Sequence, residues 1–384
     1  MTSSNQAEFS IADRQFMAEA IQLAYKGRNT ATPNPRVACV LVKDGAVVGR
    51  GWHQIAGQAH AEVNAIANAG SEARGSTAYI TLEPCSFVGR TGACCDALQA
   101  AGIRRVVSAM EDPNPKVSGN GHAALSAAGI EVSCGLMAAE AAIINPGFIK
   151  RMQTALPFVR GKMAMSLDGR AAMASGESQW ITGPAARKQV QNMRASSCAI
   201  VTGVGTVLQD NPKLTVREQD FGESVQRQPA LIVLDSHLKT PVDAAIFDQA
   251  EGASPRKIYI AHVAGAAVER IDALGTSGAE LTELPSAENT DNNSVCLKAL
   301  LRFLAEQELN EILLESGPKL AGSFIEQQLI DELKLFVAPK LMGGNAMPVF
   351  DLQFEKMCEA RELDIRDITA VGNDWLITCG FKST

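Results

Sequence analysis

Three short runs constrain this chain more than anything else in it: His60-Ala61-Glu62, Pro84-Cys85 and Cys94-Cys95. For one imidazole and two thiols to act together, three separate segments must end at a common point. Residues two apart on a helix point to roughly opposite sides, about 200° around the axis, so His60 and Glu62 share no helix face. They reach one point only if it lies off a helix N-terminus, and residues 59–67 read as a helix beginning near His60. The run Thr77-Ala78-Tyr79-Ile80-Thr81-Leu82 reads as a strand that Glu83-Pro84-Cys85 closes, and residues 94–101 read as a helix opening at the cysteine pair. The fold is thereby required to converge two helix starts and a strand end.

The donors gathered there are those of a catalytic zinc site. Such a site takes three protein ligands and leaves the fourth position to water, and a nearby glutamate that does not bind the metal moves the proton to the departing amine. A structural zinc would need a fourth protein ligand and would have no use for Glu62. The common zinc-deaminase signature spaces its cysteines as Pro-Cys-x-x-Cys. Here position 88 is valine, so the second thiolate comes from Cys94 or Cys95, across a loop containing Gly89, Arg90 and Gly92.

Composition narrows the substrate. Of the formal charge of −7, the residues before Pro146 carry 11 basic and 12 acidic groups and the rest carry 24 and 30, so neither half offers the cationic platform expected of a nucleic-acid enzyme. A small-molecule substrate is the expectation, with no nucleic acid and no membrane as partner. No segment offers about 18 consecutive apolar residues, and residues 1–10 are polar with no signal-peptide core, which points to a cytoplasmic location. Nine cysteines, an odd number in a chain of 384 residues, fit reduced thiols better than a disulfide framework.

Strand and helix patterns alternate through both halves, which predicts an α/β fold in two domains. In the first, an amphipathic helix over 12–27 leads through a turn-rich link to strand 37–42, a hairpin at Lys43-Asp44-Gly45-Ala46, and a strand at 106–110 after the cysteine elements. The rhythm breaks around Asn145-Pro146-Gly147 and restarts at Phe158, so the boundary falls between about 144 and 157, giving domains 1–146 and 147–384. In the second half, strands are expected at 199–203, 230–234, 257–261, 311–315 and 332–338. Gly203-Val204-Gly205 follows a strand but lacks the third glycine of a dinucleotide fingerprint. Glu315-Ser316-Gly317-Pro318 is a stronger anion-binding pattern, a strand end followed by a helix that proline opens, and Gly343-Gly344 is a further candidate for close approach of a ligand.

Over essentially its whole length the chain resembles the bifunctional riboflavin-biosynthesis deaminase/reductases. The segments that carry the resemblance are Pro33-Asn34-Pro35-Arg36-Val37, Gly57-Gln58-Ala59-His60-Ala61-Glu62-Val63, Thr81-Leu82-Glu83-Pro84-Cys85-Ser86 and Asp112-Pro113-Asn114-Pro115 in the first half. In the second they are Ser166-Leu167-Asp168-Gly169-Arg170, Gly176-Glu177-Ser178-Gln179-Trp180-Ile181-Thr182, Thr206-Val207, Asp210-Asn211-Pro212, Leu214-Thr215-Val216-Arg217 and Glu315-Ser316-Gly317-Pro318. The resemblance implies a cytidine-deaminase-like three-layer α/β/α domain followed by a dihydrofolate-reductase-like α/β domain. It implies zinc on His60, Cys85 and Cys94, with Glu62 catalytic and Cys95 left to packing, and a pyrimidine and ribose phosphate pocket lined by Asn34, His53, Arg90, Asp112 and Asn114. The family usually has histidine where this chain has Phe87, and a Pro-Pro pair where it has Gly92-Ala93.

For the second half the resemblance implies NADPH in contact with Ala164, Trp180, Thr206, Asp210, Ser236 and the run Gly317, Pro318, Lys319, Leu320, Ala321, Gly322 and Ser323. Substrate would meet Ser178, Arg194, Leu214, Arg217 and Glu315, with Lys162 or Asp210 assisting an imine. Arg194 and Arg217 have the planar fork that suits bidentate phosphate binding. The implied reactions are zinc-dependent hydrolytic deamination of 2,5-diamino-6-(5-phosphoribosylamino)pyrimidin-4-one, then NADPH-dependent reduction of the ribosyl group to ribityl, in a homodimer joined through the reductase half. Two competing readings are a nucleoside or tRNA deaminase with a degenerate second half, and a zinc-binding regulatory module without catalysis.

Overall fold

The computed structural model describes residues 9–86, 92–115, 117–248, 255–287 and 293–382. The chain divides into two compact units, Met1–Ala155 and Leu156–Thr384. The division lies inside the expected range of about 144 to 157, nine residues beyond 146 for a local reason. Asn145-Pro146-Gly147 does not start a linker, because Pro146 occupies the first turn of a helix, where its missing N–H costs nothing. Asn145 accepts from the Arg36 amide at 2.7 Å and donates to the Arg36 carbonyl at 2.9 Å, which ties the helix to the first unit.

In the first unit the elements are α1 (Ile11–Ala24), β1 (Ala38–Lys43), β2 (Ala46–Trp52), α2 (Ala61–Ala69), β3 (Thr77–Ile80), α3 (Cys94–Ala100), β4 (Arg105–Ser108), α4 (Asn120–Ala127), β5 (Glu131–Cys134), α5 (Ala138–Ile144) and α6 (Pro146–Thr154). Helix α1 is opened by Ser10, which caps Asp13 in a reciprocal pair of hydrogen bonds. Among the described residues the strands form one sheet in the order β2-β1-β3-β4-β5, antiparallel across the β1 hairpin and parallel from β3 onward. The near-continuous apolar run of β1 follows from burial on both faces. Ala38, Val40 and Val42 pack with Met17, Ala20 and Ile144 of α1 and α5, while Cys39 and Leu41 pack with Ala61, Ala65 and Leu98 of α2 and α3. This is the expected three-layer α/β/α arrangement.

In the second unit the elements are β6 (Phe158–Ser166), β7 (Arg170–Ala172), α7 (Pro184–Ser196), β8 (Ala199–Gly203), α8 (Val204–Asp210), α9 (Glu218–Phe221), β9 (Ala230–Leu234), β10 (Ile258–His262), α10 (Val268–Thr276), β11 (Glu280–Glu283), α11 (Leu297–Glu306), β12 (Glu311–Leu314), α12 (Pro318–Glu326), β13 (Glu332–Ala338), β14 (Met347–Pro348), β15 (Leu363–Val371) and β16 (Asp374–Phe381). Among the described residues the main sheet has nine strands in the order β11-β10-β9-β8-β12-β6-β13-β16-β15, and every pairing is parallel except the two that β16 makes, with β13 and β15. Its two faces are covered by separate cores, one containing Leu300, Leu304, Phe324 and Ile325 of α11 and α12, the other Val190 and Met193 of α7 and Leu274 of α10. The chain leaves β6, runs outward through β8 to β11, then returns to insert β12 between β8 and β6. That reversal of direction is where an open α/β sheet forms a ligand crevice, at the carboxyl ends of its strands.

Candidate active sites

In the first unit His60 is the N-cap of α2, with an extended backbone that aims the ring off the helix end. Cys85 follows β3, and Cys94 is the first residue of α3. His60 Nδ1 lies 3.2 Å from Cys94 Sγ and 3.7 Å from Cys85 Sγ, and the three ligand atoms lie within 4.8 Å of one another. The Cys94 amide points at Cys85 Sγ at 3.4 Å, so the start of α3 helps hold a thiolate. The thiol of Cys94 and then the ring of His60 pull the Cys85 thiol down to about 4 despite its burial. Cys95 turns away, its Sγ 3.5 Å from the carbonyls of Pro84 and Gly121. The geometry therefore picks Cys94 over Cys95. One nitrogen and two sulfurs at this separation fit zinc, and three donors leave the fourth tetrahedral position to a ligand from outside the protein.

Glu62 is 3 % exposed, and burial, reinforced by the charge of Cys85, pushes its carboxyl up. A raised carboxyl suits a group that must take and give a proton near neutral pH. His53 packs edge-on to His60, with ring centroids 5.3 Å apart. Its Nε2 lies 3.1 Å from Asn34 Nδ2 and its Nδ1 lies 3.2 Å from the Ala59 carbonyl, contacts that both suit a neutral ring protonated at Nδ1. Burial lowers its pKa in the same sense. Asp112 is buried and pushed up to about 6 by that burial, with Glu83 and Cys85 adding to it, while the Asn114 amide donates to its Oδ1 at 2.8 Å. Asn34, His53, Asp112 and Asn114 are thus each placed in hydrogen-bonded surroundings, whereas Arg90, Phe87, Val88 and Gly89 lie outside the described residues.

A residue that the motif reading left without a role is Glu83. It is buried, and it accepts hydrogen bonds from the amides of Asp112, Gly119, Gly121 and His122 at 3.1, 2.9, 2.8 and 3.3 Å. One carboxylate so fixes the segment carrying Asp112 and Asn114 to the segment carrying Cys85. The signal for it was an acid directly before Pro84-Cys85, which only a folded partner with free amides makes meaningful.

In the second unit, Ala164, Thr206, Ser236 and the run from Gly317 all sit at or just beyond the carboxyl ends of β6, β8, β9 and β12. Gly203 and Gly317 are N-caps of α8 and α12, and the space above Gly205 and Gly317 is open. Thr202 Oγ1 and Ser316 Oγ, at the ends of β8 and β12, are buried with no hydrogen-bond partner among the described residues. A pocket of about 170 Å³ opens beyond the ends of β9 and β10, lined by Ser236, His237, Gly265, Ala267 and Arg270. Open amides, orphaned hydroxyls and a pocket along one sheet edge fit an elongated dinucleotide.

Several expected contacts are differently employed. Ala321 is buried in the core, a Cβ on Gly322 would lie 2.1 Å from the Asp351 carbonyl, and the Ser323 hydroxyl bonds the Lys319 carbonyl within its own helix. Of that run, Gly317 is the N-cap of α12 and Pro318, Lys319 and Leu320 make up its first turn. At Gly343-Gly344 the amides of Met342 and Gly343 are taken by Asp168, while the space above both glycines is open. Ser236 Oγ accepts from the Val295 amide, and Asp210 is exposed at the end of α8. Trp180 is 60 % exposed in the loop that also holds Ser178, with the Arg187 guanidinium 4.5 Å over its ring and Lys340 Nζ on its carbonyl.

The fork of Arg194 is not open to a phosphate. Its Nε and Nη2 donate to Glu315 Oε1 and Oε2 at 2.7 and 2.9 Å, and Nη1 donates to the Thr215 carbonyl at 3.0 Å, all in a buried setting. The register that pairs Leu314 with Gly161 brings Lys162 beside Glu315. Burial alone would raise the Glu315 carboxyl, but Arg194, then Lys162 and Arg217, hold it below the usual range. Burial and the charge of Arg194 push the Lys162 amine down against the pull of Glu315. Arg217, the N-cap of α9, is the more open cation, and among the described residues it forms an ion pair with Asp220 of that helix at 2.5 Å.

Comparison with known proteins agrees with this division of labour. Residues 10–110 match the cytidine and deoxycytidylate deaminase zinc-binding region, and residues 157–377 match the RibD C-terminal domain. The chain is 46 % identical over 372 residues to the riboflavin biosynthesis protein RibD of Escherichia coli K12, covering 94 % of this chain and 97 % of that one. It is 42 % identical to that of Haemophilus influenzae, covering 97 % and 98 %. Among solved structures, RibD of Acinetobacter baumannii superposes with a TM-score of 0.86 at 39 % identity, covering 97 % of this chain and 99 % of that one. A diaminohydroxyphosphoribosylaminopyrimidine deaminase/5-amino-6-(5-phosphoribosylamino)uracil reductase of Thermotoga maritima superposes with a TM-score of 0.82 at 30 % identity, with the same coverage. The match over 157–377 sets aside a deaminase with a degenerate second half. No helix among the described residues is long and apolar enough to cross a membrane. The chain belongs to the RibD family of riboflavin biosynthesis, a zinc-dependent deaminase joined to an NADPH-dependent reductase.

Proposed function

We propose that the two units act in sequence on one small phosphorylated pyrimidine: hydrolytic deamination of 2,5-diamino-6-(5-phosphoribosylamino)pyrimidin-4-one, then reduction of its ribosyl side chain to ribityl. The observation that carries the first step is a buried Glu62 beside the His60, Cys85 and Cys94 cluster. Zinc held by those three residues supplies the Lewis acidity that makes water a nucleophile near neutral pH. The Glu62 carboxylate takes the proton that the water gives up and returns it to the exocyclic amine, which leaves as ammonia. Asn34 and His53 orient the ring from one side, and Asp112 and Asn114, held by Glu83, from the other segment; Arg90 is assigned to the same pocket. Burial lowers the His53 pKa, which favours the neutral ring that donates from Nδ1 to the Ala59 carbonyl and accepts from Asn34 at Nε2.

For the second step NADPH, bound along Ala164, Trp180, Thr206, Asp210, Ser236 and the start of α12, supplies a hydride. Ser178, Leu214 and Arg217 hold the ribosyl phosphate. Glu315 and Lys162 sit side by side, one ionised and one with a depressed pKa, which suits opening of the sugar ring and protonation at nitrogen. We assign the protein to the cytoplasm and expect a homodimer through the reductase unit. The test follows ammonia release and NADPH oxidation together in the Glu62→Gln variant. Zinc content and reduction of the deaminated pyrimidine should stay within about twofold of wild type, while ammonia release should drop by at least 100-fold. Ammonia release at the normal rate would remove Glu62 from the mechanism.

A further inference from the structure

The segment 213–217 of the reductase unit carries two residues assigned above to the substrate, Leu214 and Arg217. It has no regular secondary structure and its middle is buried, yet among the described residues it pairs with no strand. Buried backbone polar groups need partners, and here side chains supply them. Arg256 donates from Nη2 to the Lys213 carbonyl at 2.5 Å and from Nη1 to the Leu214 carbonyl at 2.6 Å, and it reaches the Ile246 carbonyl at 2.9 Å. Arg194 holds the Thr215 carbonyl. Gln228 accepts from the Val216 amide and donates to the Val216 carbonyl, both at 2.8 Å, reproducing a strand pairing with one amide group. Gln191 accepts from the Arg217 amide at 3.0 Å. All four side chains are more than nine-tenths buried. Leu214 itself has φ +50°, a left-handed conformation that is unfavourable for a residue with a Cβ and that persists only where its surroundings impose it.

We infer that Arg256 and Gln228 are positioning residues of the reductase, buried side chains that fix the substrate segment so that Leu214 and Arg217 are presented to the ribosyl phosphate before it binds. Burial and the nearby Arg194 lower the Arg256 guanidinium only to about 10, so it remains a cation at neutral pH, and its bonds to carbonyls keep charge assistance. Fixing a binding loop in advance removes an ordering cost from association, which is why the effect belongs in substrate affinity.

The inference rests on the reductase reading above, and the experiment separates the two. Steady-state NADPH oxidation with the deaminated pyrimidine is measured on full-length wild type, Arg217→Ala, Arg256→Ala, Arg256→Lys and Gln228→Leu, with ammonia release as an internal control. Arg256→Ala should raise the KM for the pyrimidine roughly 10- to 100-fold, with a smaller change in kcat and none in the KM for NADPH or in ammonia release. Millimolar guanidinium should recover part of the lost affinity, and Arg256→Lys should be intermediate. If Arg256→Ala does not fold, Arg256→Lys and Gln228→Leu carry the same test. A pyrimidine KM equal to wild type in folded variants overturns the inference, as does a loss shared equally by both KM values and not rescued by guanidinium. If Arg217→Ala also leaves the pyrimidine KM unchanged, the substrate site itself is misassigned and the positioning role falls with it.

Discussion

Cys94 and Cys95 are adjacent in sequence and opposite in role. Cys94 faces His60 and Cys85, while Cys95 is buried against the carbonyls of Pro84 and Gly121. Cys94→Ala should therefore lower bound zinc from one per chain to near zero and abolish ammonia release. Cys95→Ala should keep full zinc stoichiometry and activity and lower stability by about 1 kcal/mol, the loss of a small buried group. Metal analysis beside thermal melts checks both, and the converse pattern would reverse the ligand assignment. The identity of the ligand residues was visible in the donor types alone, but spacing left the second thiolate open between neighbours. Arg194 illustrates the opposite limit: its chemistry matched phosphate recognition, and the folded chain spends that chemistry on Glu315. A guanidinium pairs with whichever anion the fold brings nearest, and sequence distance, here 121 residues, conceals which that is.

The elements that build the zinc site were legible because they are short, strongly patterned and closed by distinctive residues. Their approach distances were not. Helix α2 lies so close to β2 that a Cβ on Gly51 would sit 2.3 Å from both the Ala61 carbonyl and the Ala65 amide, and one on Gly49 would sit 2.5 Å from the Ala65 carbonyl. Both contacts are with backbone, which cannot swing aside, so Gly51→Ala must push α2 outward and carry its N-cap His60 with it. We expect a stability loss of about 2–3 kcal/mol in this unit and at least a tenfold weaker zinc affinity, with NADPH oxidation on deaminated pyrimidine unchanged. Competition with a chromophoric chelator measures the affinity, and wild-type zinc retention in Gly51→Ala would show that His60 does not depend on this packing. Strands β5, β11, β15 and β16 escaped the sequence reading for a related reason. Strand β15 lies at the sheet edge with most of its residues exposed, so it never displays the apolar run that marked β1 or β12.

At the scale of the whole chain, each unit has its own cores: among the described residues the clusters around β1 draw on residues before Ala155, and those around β12 on Leu156 and residues after it. Stripping zinc with a strong chelator should thus abolish ammonia release while leaving NADPH oxidation on the deaminated pyrimidine within about twofold of the untreated enzyme. Parallel loss of both activities would mean that the reductase depends on the metal-bearing unit for its fold. The sequence by itself determined the fold class, the pair of domains and the donor set of the metal, because periodicity and residue chemistry are local properties that each segment carries with it; the reductive reaction came from the resemblance to a known family. Only the tertiary structure decided where within 144–157 the division falls, what Cys95, Glu83 and Arg256 touch, and that Arg194 serves Glu315. Those depend on which partner lies within about 3 Å after folding, and a hydrogen bond is made or lost on that distance.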